Sequence, residues 1–431
     1  MTTAFRPASW VARTNIYEVN LRQYTKEGSF EAFSLHLPRL KDMGVEIIWF
    51  MPVTPISVVN RKGTLGSYYA CSSYVQTNPE FGTLLQFKKL VQQIQELGMK
   101  VIIDWVANHT GWDHEWTIAH PEYYHRNADG SFRPPVENWE DVIHLNFDNP
   151  ATRAAMIDAM RFWVKECGID GFRCDMAMLV PVDFWAEARR QLDQLKELFW
   201  LGEFDQWGDE PYAHVFDVSY SWHWMHISQE FYKSNRQLHQ LDAALTGYAQ
   251  KTPYHHMRSF FTTNHDENSW NGTEYEKYGP MALPLAVFCC TWNGVPLIYS
   301  GQELPNHKRL QFFDKDEIEW KNEPELHGFY KTLLEFKKQH PAMAAADHHV
   351  ITWRLATTEL DTLFAFVRKS LKGEVIVILN FSEQRHHFHI TDQRVKGTYT
   401  DLFAAADCEV SGSFSINPWG YKILYKHQVI E

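Results

Sequence analysis

Arg173 and Asp175 stand two positions apart inside the otherwise apolar run GIDGFRCDMAML. Such a run reads as a buried strand, and charge is rarely buried without a partner or a task. Side chains two apart on a strand share a face. Asp175 is therefore either half of a structural ion pair or a nucleophile held by its arginine. Other apolar runs also end in chemistry-bearing residues. KVIIDWVANH brings Asp104, Asn108 and His109; FWLGEFD brings Glu203 and Asp205; SFFTTNHDE brings Asn264, His265, Asp266 and Glu267; VPLIYSGQE brings Gln302 and Glu303. Converging carboxylates support a metal site or glycoside hydrolysis by a nucleophile and a general acid/base. Arg173 weighs against the metal, because a guanidinium among the ligands repels a cation. It suits hydrolysis, since it should hold Asp175 ionised while neighbouring carboxylates raise the pKa of Glu203.

For these residues to meet, the strands must present their ends on one rim. Strand-like runs begin at Asn15, Glu46, Lys100, Gly168, Phe199, Phe216, Ser259 and Val295. Helical periodicity lies between them, over residues 30–44, 84–98, 149–168, 183–198, 228–250, 281–292 and 323–340, with Gly44 and Gly98 as stop signals. Eight strand–helix units in series predict a (β/α)8 TIM barrel, whose functional residues sit at the C-terminal strand ends. A doubly wound sheet is the alternative, but no Gly-rich dinucleotide fingerprint is present.

Residues 108–149 lack a long periodic pattern and are rich in aromatic, His, Pro and Asn residues, which predicts an inserted domain B after the third strand. From about residue 345 short strands alternate with turn residues, which predicts a C-terminal antiparallel β-sandwich domain. The expected division is a barrel from 1–107 and 150–344, an insertion from 108–149 and a β domain from 345–431.

The formal net charge of −12 repels phosphate backbones and argues against nucleic acid. No run reaches membrane-spanning length, and the six cysteines show no zinc-like spacing. With no secretory signal pattern in MTTAFRPASW, a cytoplasmic protein with reduced thiols is expected. Aromatic residues make up 15% of the chain, enough to fill a core and still leave a surface that stacks on sugar rings. Trp105, Trp112, Trp116 and Trp139 each read first as core, with a sugar cleft lined by the cluster as the alternative. The pairs His255–His256, His348–His349 and His386–His387 read as surface histidines.

Taken in order, DWVANH, GFRCDMAML, GEFD and TTNHDE resemble the four motifs of the α-amylase family of glycoside hydrolases, family 13. The resemblance extends over the barrel, the insertion and the β appendix. It implies Asp175 as nucleophile, Glu203 as general acid/base and Asp266 as the third catalytic carboxylate. Tyr69, Asp104, His109, Arg173 and His265 form the implied substrate-binding set. Within it Arg173 orients the nucleophile, Asp104 is a structural carboxylate, the histidines bond sugar hydroxyls, and Tyr69 stacks under the sugar. Tyr69 is reached through SYVQTNPEFGT, which is similar to the family's DYYAVNPEFGT. The implied reaction is retaining cleavage of α-1,4-glucosidic bonds in starch-like glucans or maltooligosaccharides, with the two carboxyls about 5–5.5 Å apart. A glucanotransferase or a trehalose-synthase-type isomerase would use the same chemistry. An inactive carbohydrate-binding scaffold would have lost the nucleophile or the acid, and both are present.

Four positions depart from the family pattern. Ser73 replaces an Asp, and Met178 and Leu179 stand where many relatives carry Lys-His, which leaves acceptor-side specificity open. His144, in VIHLN, stands where the family's calcium site often has Asp, although Asn108 is retained. A neutral imidazole is a poor calcium ligand, so no metal or other cofactor is expected. Oligomeric state is not legible in the sequence.

Overall fold

The computed structural model describes residues 5–205, 210–234 and 237–427. Eight strands close into a parallel barrel: Ile16–Val19, Ile47–Phe50, Lys100–Trp105, Gly171–Cys174, Phe199–Gly202, Val218–Tyr220, Met257–Phe260 and Val295–Tyr299. Each pairs with its sequence neighbours, and the first pairs with the eighth through Ile16–Leu297 and Glu18–Tyr299. The strands read as continuous apolar runs because both faces are covered, by barrel interior and by helices. The helix Leu84–Glu96 shows how the outer layer is specified. A Thr83–Gln86 capping box starts it, and Phe87, Leu90, Val91 and Ile94 turn one stripe to the core.

Two expected helices are divided. The segment 30–44 forms Phe30–Ser34 and Leu37–Met43, because Pro38 lacks the N–H needed to continue the first helix and instead opens the second. The helix expected over 228–250 is two, Trp222–Lys233 and Leu238–Lys251, and Ser234 leaves helical geometry between them. The insertion carries an antiparallel ribbon, His109–Gly111 with Val142–His144. Of the histidine pairs read as exposed, His256 and His386 are buried. The Nδ1 of His256 lies 3.0 Å from the Phe216 carbonyl, and its Nε2 2.8 Å from the Ser219 hydroxyl.

The C-terminal domain is a six-stranded antiparallel sheet covered by the ribbon His386–His389 with Ser413–Ile416. In the strand Leu363–Ser370, Leu363, Ala365 and Val367 join the core under the ribbon. Phe364 and Phe366 join the core of the barrel. Both faces are thus apolar, as period-two alternation between two buried environments requires. Arg368, also fully buried, donates to the carbonyls of Met343 and Ala344. Burial pushes its pKa down to about 9.

Strands four and five approach closely at Gly171, which pairs with Phe199. A Cβ built there would lie 2.1 Å from the Phe199 carbonyl oxygen. These two strands carry Asp175 and Glu203 at their far ends. Gly171→Ala should therefore lower thermal stability by about 3 kcal/mol or more, read as a fall in melting temperature or in soluble yield. Unchanged melting would mean that the strand pair can separate without cost.

Candidate active site

Arg173 lies at the centre, with no exposed side-chain surface. Its Nη1 donates to Asp104 Oδ1 at 2.8 Å and to Asp175 Oδ1 at 2.9 Å. Nη2 lies 2.8 Å from Glu203 Oε2, a charge contact rather than an aligned hydrogen bond. Nε donates to the Tyr220 hydroxyl at 3.1 Å. The barrel register produces this cluster, because Asp104 pairs with Arg173 and Cys174 with Gly202 on adjacent strands.

The nucleophile candidate and the acid candidate are also tied through the backbone. Met176, directly after Asp175, sits in the left-handed region at φ 40°. Its N–H donates to Glu203 Oε2 at 2.9 Å. A non-glycine residue held there stores strain, here at the turn directly after Asp175.

A second chain of bonds runs through His265. Its Nδ1 is 2.5 Å from Glu18 Oε1, and its Nε2 is 2.8 Å from the Tyr69 hydroxyl and 3.3 Å from Asp266 Oδ2. Tyr69 in turn donates to Asp104 Oδ2 at 3.0 Å. Burial opposes a charge on His265, but Asp266 and Glu18 outweigh it and raise its pKa well above the ordinary value. The ring is an imidazolium that donates from both nitrogens. Burial favours neutral Asp266, yet His265 and Arg173 hold its pKa below the usual range. His109 is the opposite case: burial, then His144, push it down to about 3, so it is neutral.

Desolvation raises three carboxyls against the pull of Arg173: Asp104 and Asp175 to about 6, and Glu203 to about 7, the last helped by Asp175 and Asp266. The expectation that Arg173 would simply hold Asp175 ionised needs correction, because one guanidinium is divided among three carboxyls. The order survives, with Glu203 keeping its proton to higher pH than Asp175.

All eight residues singled out in the sequence come together. Tyr69, His109, Asp175, Glu203 and Asp266 line one cleft. Asp104, Arg173 and His265, grouped with them as substrate-binding, lie behind its wall with almost no exposed surface and act by positioning the others. The other strand-end polar groups do structural work. Asp205 pairs with Arg258, Glu267 with Lys277 and Glu303 with Arg39. Of the four tryptophans, Trp139 lines the cleft, edge-on to His109, while Trp105 is core.

Sequence reasoning passed over Glu18, Tyr220, Trp270 and Phe312. Glu18 was detectable, as a lone carboxylate in the apolar run NIYEVNL. Phe312 and Trp270, which line the cleft and face one another at 5.4 Å, come from segments without regular patterning.

A closed parallel barrel with clustered carboxyls at its C-terminal rim, an inserted domain after strand three and a C-terminal β sheet define a glycosidase-type architecture. The chain matches the alpha amylase catalytic domain over residues 13–324 and the alpha amylase C-terminal all-beta domain over residues 353–427. It belongs to the α-amylase family. It is 28% identical over 397 residues to alpha-amylase MalA of Haloarcula japonica, covering 87% of this chain and 56% of that protein. The chain thus spans little more than half the length of that relative. A crystal structure of an alpha-amylase from Lactobacillus plantarum superposes with a TM-score of 0.87 at 28% identity, covering 96% of this chain and 99% of that one. The noncanonic maltogenic alpha-amylase AmyB from Thermotoga neapolitana superposes with a TM-score of 0.88 at 26% identity, covering 97% and 99%. Among the described residues no helix is long and apolar enough to cross a membrane.

The raised pKa of Glu203 has a consequence for stability. The folded state holds this proton up to about pH 7, whereas an unfolded glutamate releases it near its model value of 4.5. The stabilisation is full below that lower value and is lost as pH rises through the folded pKa. Glu203→Gln mimics the protonated form. It should melt about 2–5 °C above the parent at pH 8, with the gap closing toward pH 4. A gap independent of pH would refute the desolvation account.

Proposed function

We propose that this chain is a retaining α-glycosidase acting on α-1,4-linked glucans or maltooligosaccharides. The observation that carries the reading is the Arg173 cluster, in which one guanidinium contacts both Asp175 and Glu203, and Glu203 keeps its proton to higher pH. The productive pair is Asp175 ionised and Glu203 protonated, the state favoured by Glu203 keeping its proton to higher pH than Asp175. An Asp175 oxygen attacks the anomeric carbon, the glycosidic C–O bond breaks, and the Glu203 proton goes to the leaving oxygen. Glu203, now a carboxylate, takes a proton from water, whose oxygen displaces Asp175 and restores both groups. Two inversions give retention. Tyr69 supplies the apolar floor, and neutral His109 and charged Asp266 supply hydrogen bonds to hydroxyls of the bound sugar. A glucan substrate is supported by the relatives, among them an alpha-amylase and a cyclomaltodextrinase. A cytoplasmic location fits this reading and awaits fractionation.

Calcium is not part of the proposed mechanism. The buried Asn108 Oδ1 has no hydrogen-bond partner among the described residues and would suit a cation. The His144 position does not. Its Nδ1 lies 3.4 Å from Nη2 of Arg133, and burial, with His125 and Arg133, pushes its pKa down to about 4. A guanidinium beside the position, with no carboxylate there, repels a divalent ion. A chelator should leave the melting temperature unchanged; a fall of several degrees restored by calcium would reinstate the metal.

The functional test is incubation with maltoheptaose, with products resolved by chromatography. Shorter chains are expected. Longer chains would mean a transferase, trehalose or another isomer an isomerase, and no change an inactive scaffold. Asp175→Asn should lower turnover by about 10^4-fold or more while sparing the fold; full activity in that variant overturns the assignment.

A further inference from the structure

The cleft is small, about 210 Å3, and Lys62, Asp141 and Phe313 are among the residues that line it. The segment between the second strand and Tyr69 is fastened on two sides. Toward the eighth strand, the Thr64 N–H donates to Asp314 Oδ1 at 2.8 Å, and the Leu65 N–H to the Phe313 carbonyl at 3.0 Å. Gly63, at φ 64°, passes so close to Phe313 that a Cβ would lie 2.5 Å from its side chain. Toward the insertion, Asp113 accepts from the N–H groups of Val58 and Val59, and Lys62 Nζ lies 3.0 Å from Asp141 Oδ1. Lys62 and Asp141 both line the cleft. The Lys62 side chain keeps 38% of its surface exposed, whereas Asp141 keeps 8%. The loops after strands eight, two and three therefore form one continuous wall.

The chemistry fixes which end of a substrate meets it. Glu203, on strand five, must protonate the leaving oxygen, so the departing part of the chain lies on the side of strands four and five. The sugar that is cleaved rests over Tyr69. Its far end, carrying the non-reducing hydroxyls, points away from Glu203 and toward the wall. An ammonium paired with a carboxylate there offers a donor and an acceptor to a terminal hydroxyl pair, and a longer chain would have to displace the pair.

We infer that the wall makes this protein exo-acting: it takes the non-reducing ends of α-glucans, and the Lys62–Asp141 pair is the determinant of that choice. The inference rests on the glycosidase reading above. The test compares two substrates, a 4-nitrophenyl maltoheptaoside and the same molecule blocked at its non-reducing end by an ethylidene group, with chain shortening followed by chromatography. The free chain should shorten, and the blocked chain should react about 100-fold more slowly. Comparable rates on both overturn the exo reading and leave the glycosidase reading standing. Cleavage of neither removes the glycosidase reading and the inference with it. In Lys62→Ala, or in the shape-conserving Asp141→Asn, the ratio of blocked to free rate should rise by about tenfold or more. An unchanged ratio in a folded variant removes the pair as the determinant.

Discussion

Everything in the site depends on one buried guanidinium that is asked to compensate too much negative charge. Arg173 touches Asp104, Asp175 and Glu203, and among the described residues the only other cation in the network is His265, which touches Glu18 and Asp266. Two cations thus face five carboxyl groups, four of them nearly without exposed surface and Asp266 with 39% of its side chain exposed. Five ionised carboxylates could not be held there, because each buried uncompensated charge carries a large desolvation cost. The cheapest relief is to retain a proton, and it resides on the carboxyl whose partners help least. Glu203 is that group. Among the described residues it has a charge contact to Arg173 and one backbone N–H, while Asp175 and Asp266 both push its pKa upward. The proton needed for catalysis is thus a product of charge balance in the whole cluster rather than of any single contact.

The same balance explains why so much of the site was legible in the sequence. A carboxylate in an apolar strand is costly enough to be informative, and Asp104, Arg173 and Asp175 stand out for that reason. Strand periodicity then placed them at one end of a barrel, because eight strand–helix units have few other ways to close. What escaped is equally physical. Whether Glu203 or Glu303 is free to react depends on Arg39, which takes Glu303 as a partner from far along the chain. Asp205 and Glu203 are two residues apart in one motif, yet Arg258 claims Asp205 and leaves Glu203 to the cleft. Pairings of this kind are set by tertiary approach, and no local pattern carries them. The helix breaks were within reach by contrast, since Pro38 is a local signal that periodicity overrode.

The C-terminal domain follows a simpler rule. Its long strand is apolar on both sides because one face meets the covering ribbon and the other meets the barrel. Arg368 sits on the barrel side with its charge spent on carbonyl oxygens, including those of Met343 and Ala344, so the join between the two parts is polar and directional as well as apolar. A joint of that type resists sliding, since moving it would strand a buried cation. The barrel to which the active-site loops attach is thereby braced from outside.

Catalysis and selectivity are then separated in the fold. The reacting groups sit on strand ends whose register is fixed by backbone pairing, as in Asp104 opposite Arg173. Their geometry cannot drift without opening the barrel. The wall at the glycone end is made instead of loops, joined by contacts such as Lys62–Asp141 and Thr64–Asp314 that are few and partly exposed. Such contacts contribute little to global stability. They can therefore be altered without disturbing the Arg173 cluster. Met178 and Leu179 lie on the turn after Asp175, half-buried and exposed respectively, and offer apolar contact where a charged pair would offer hydrogen bonds. Strand ends and loops thus answer to different constraints, which is why the family could be inferred from the strand ends and the substrate length could not.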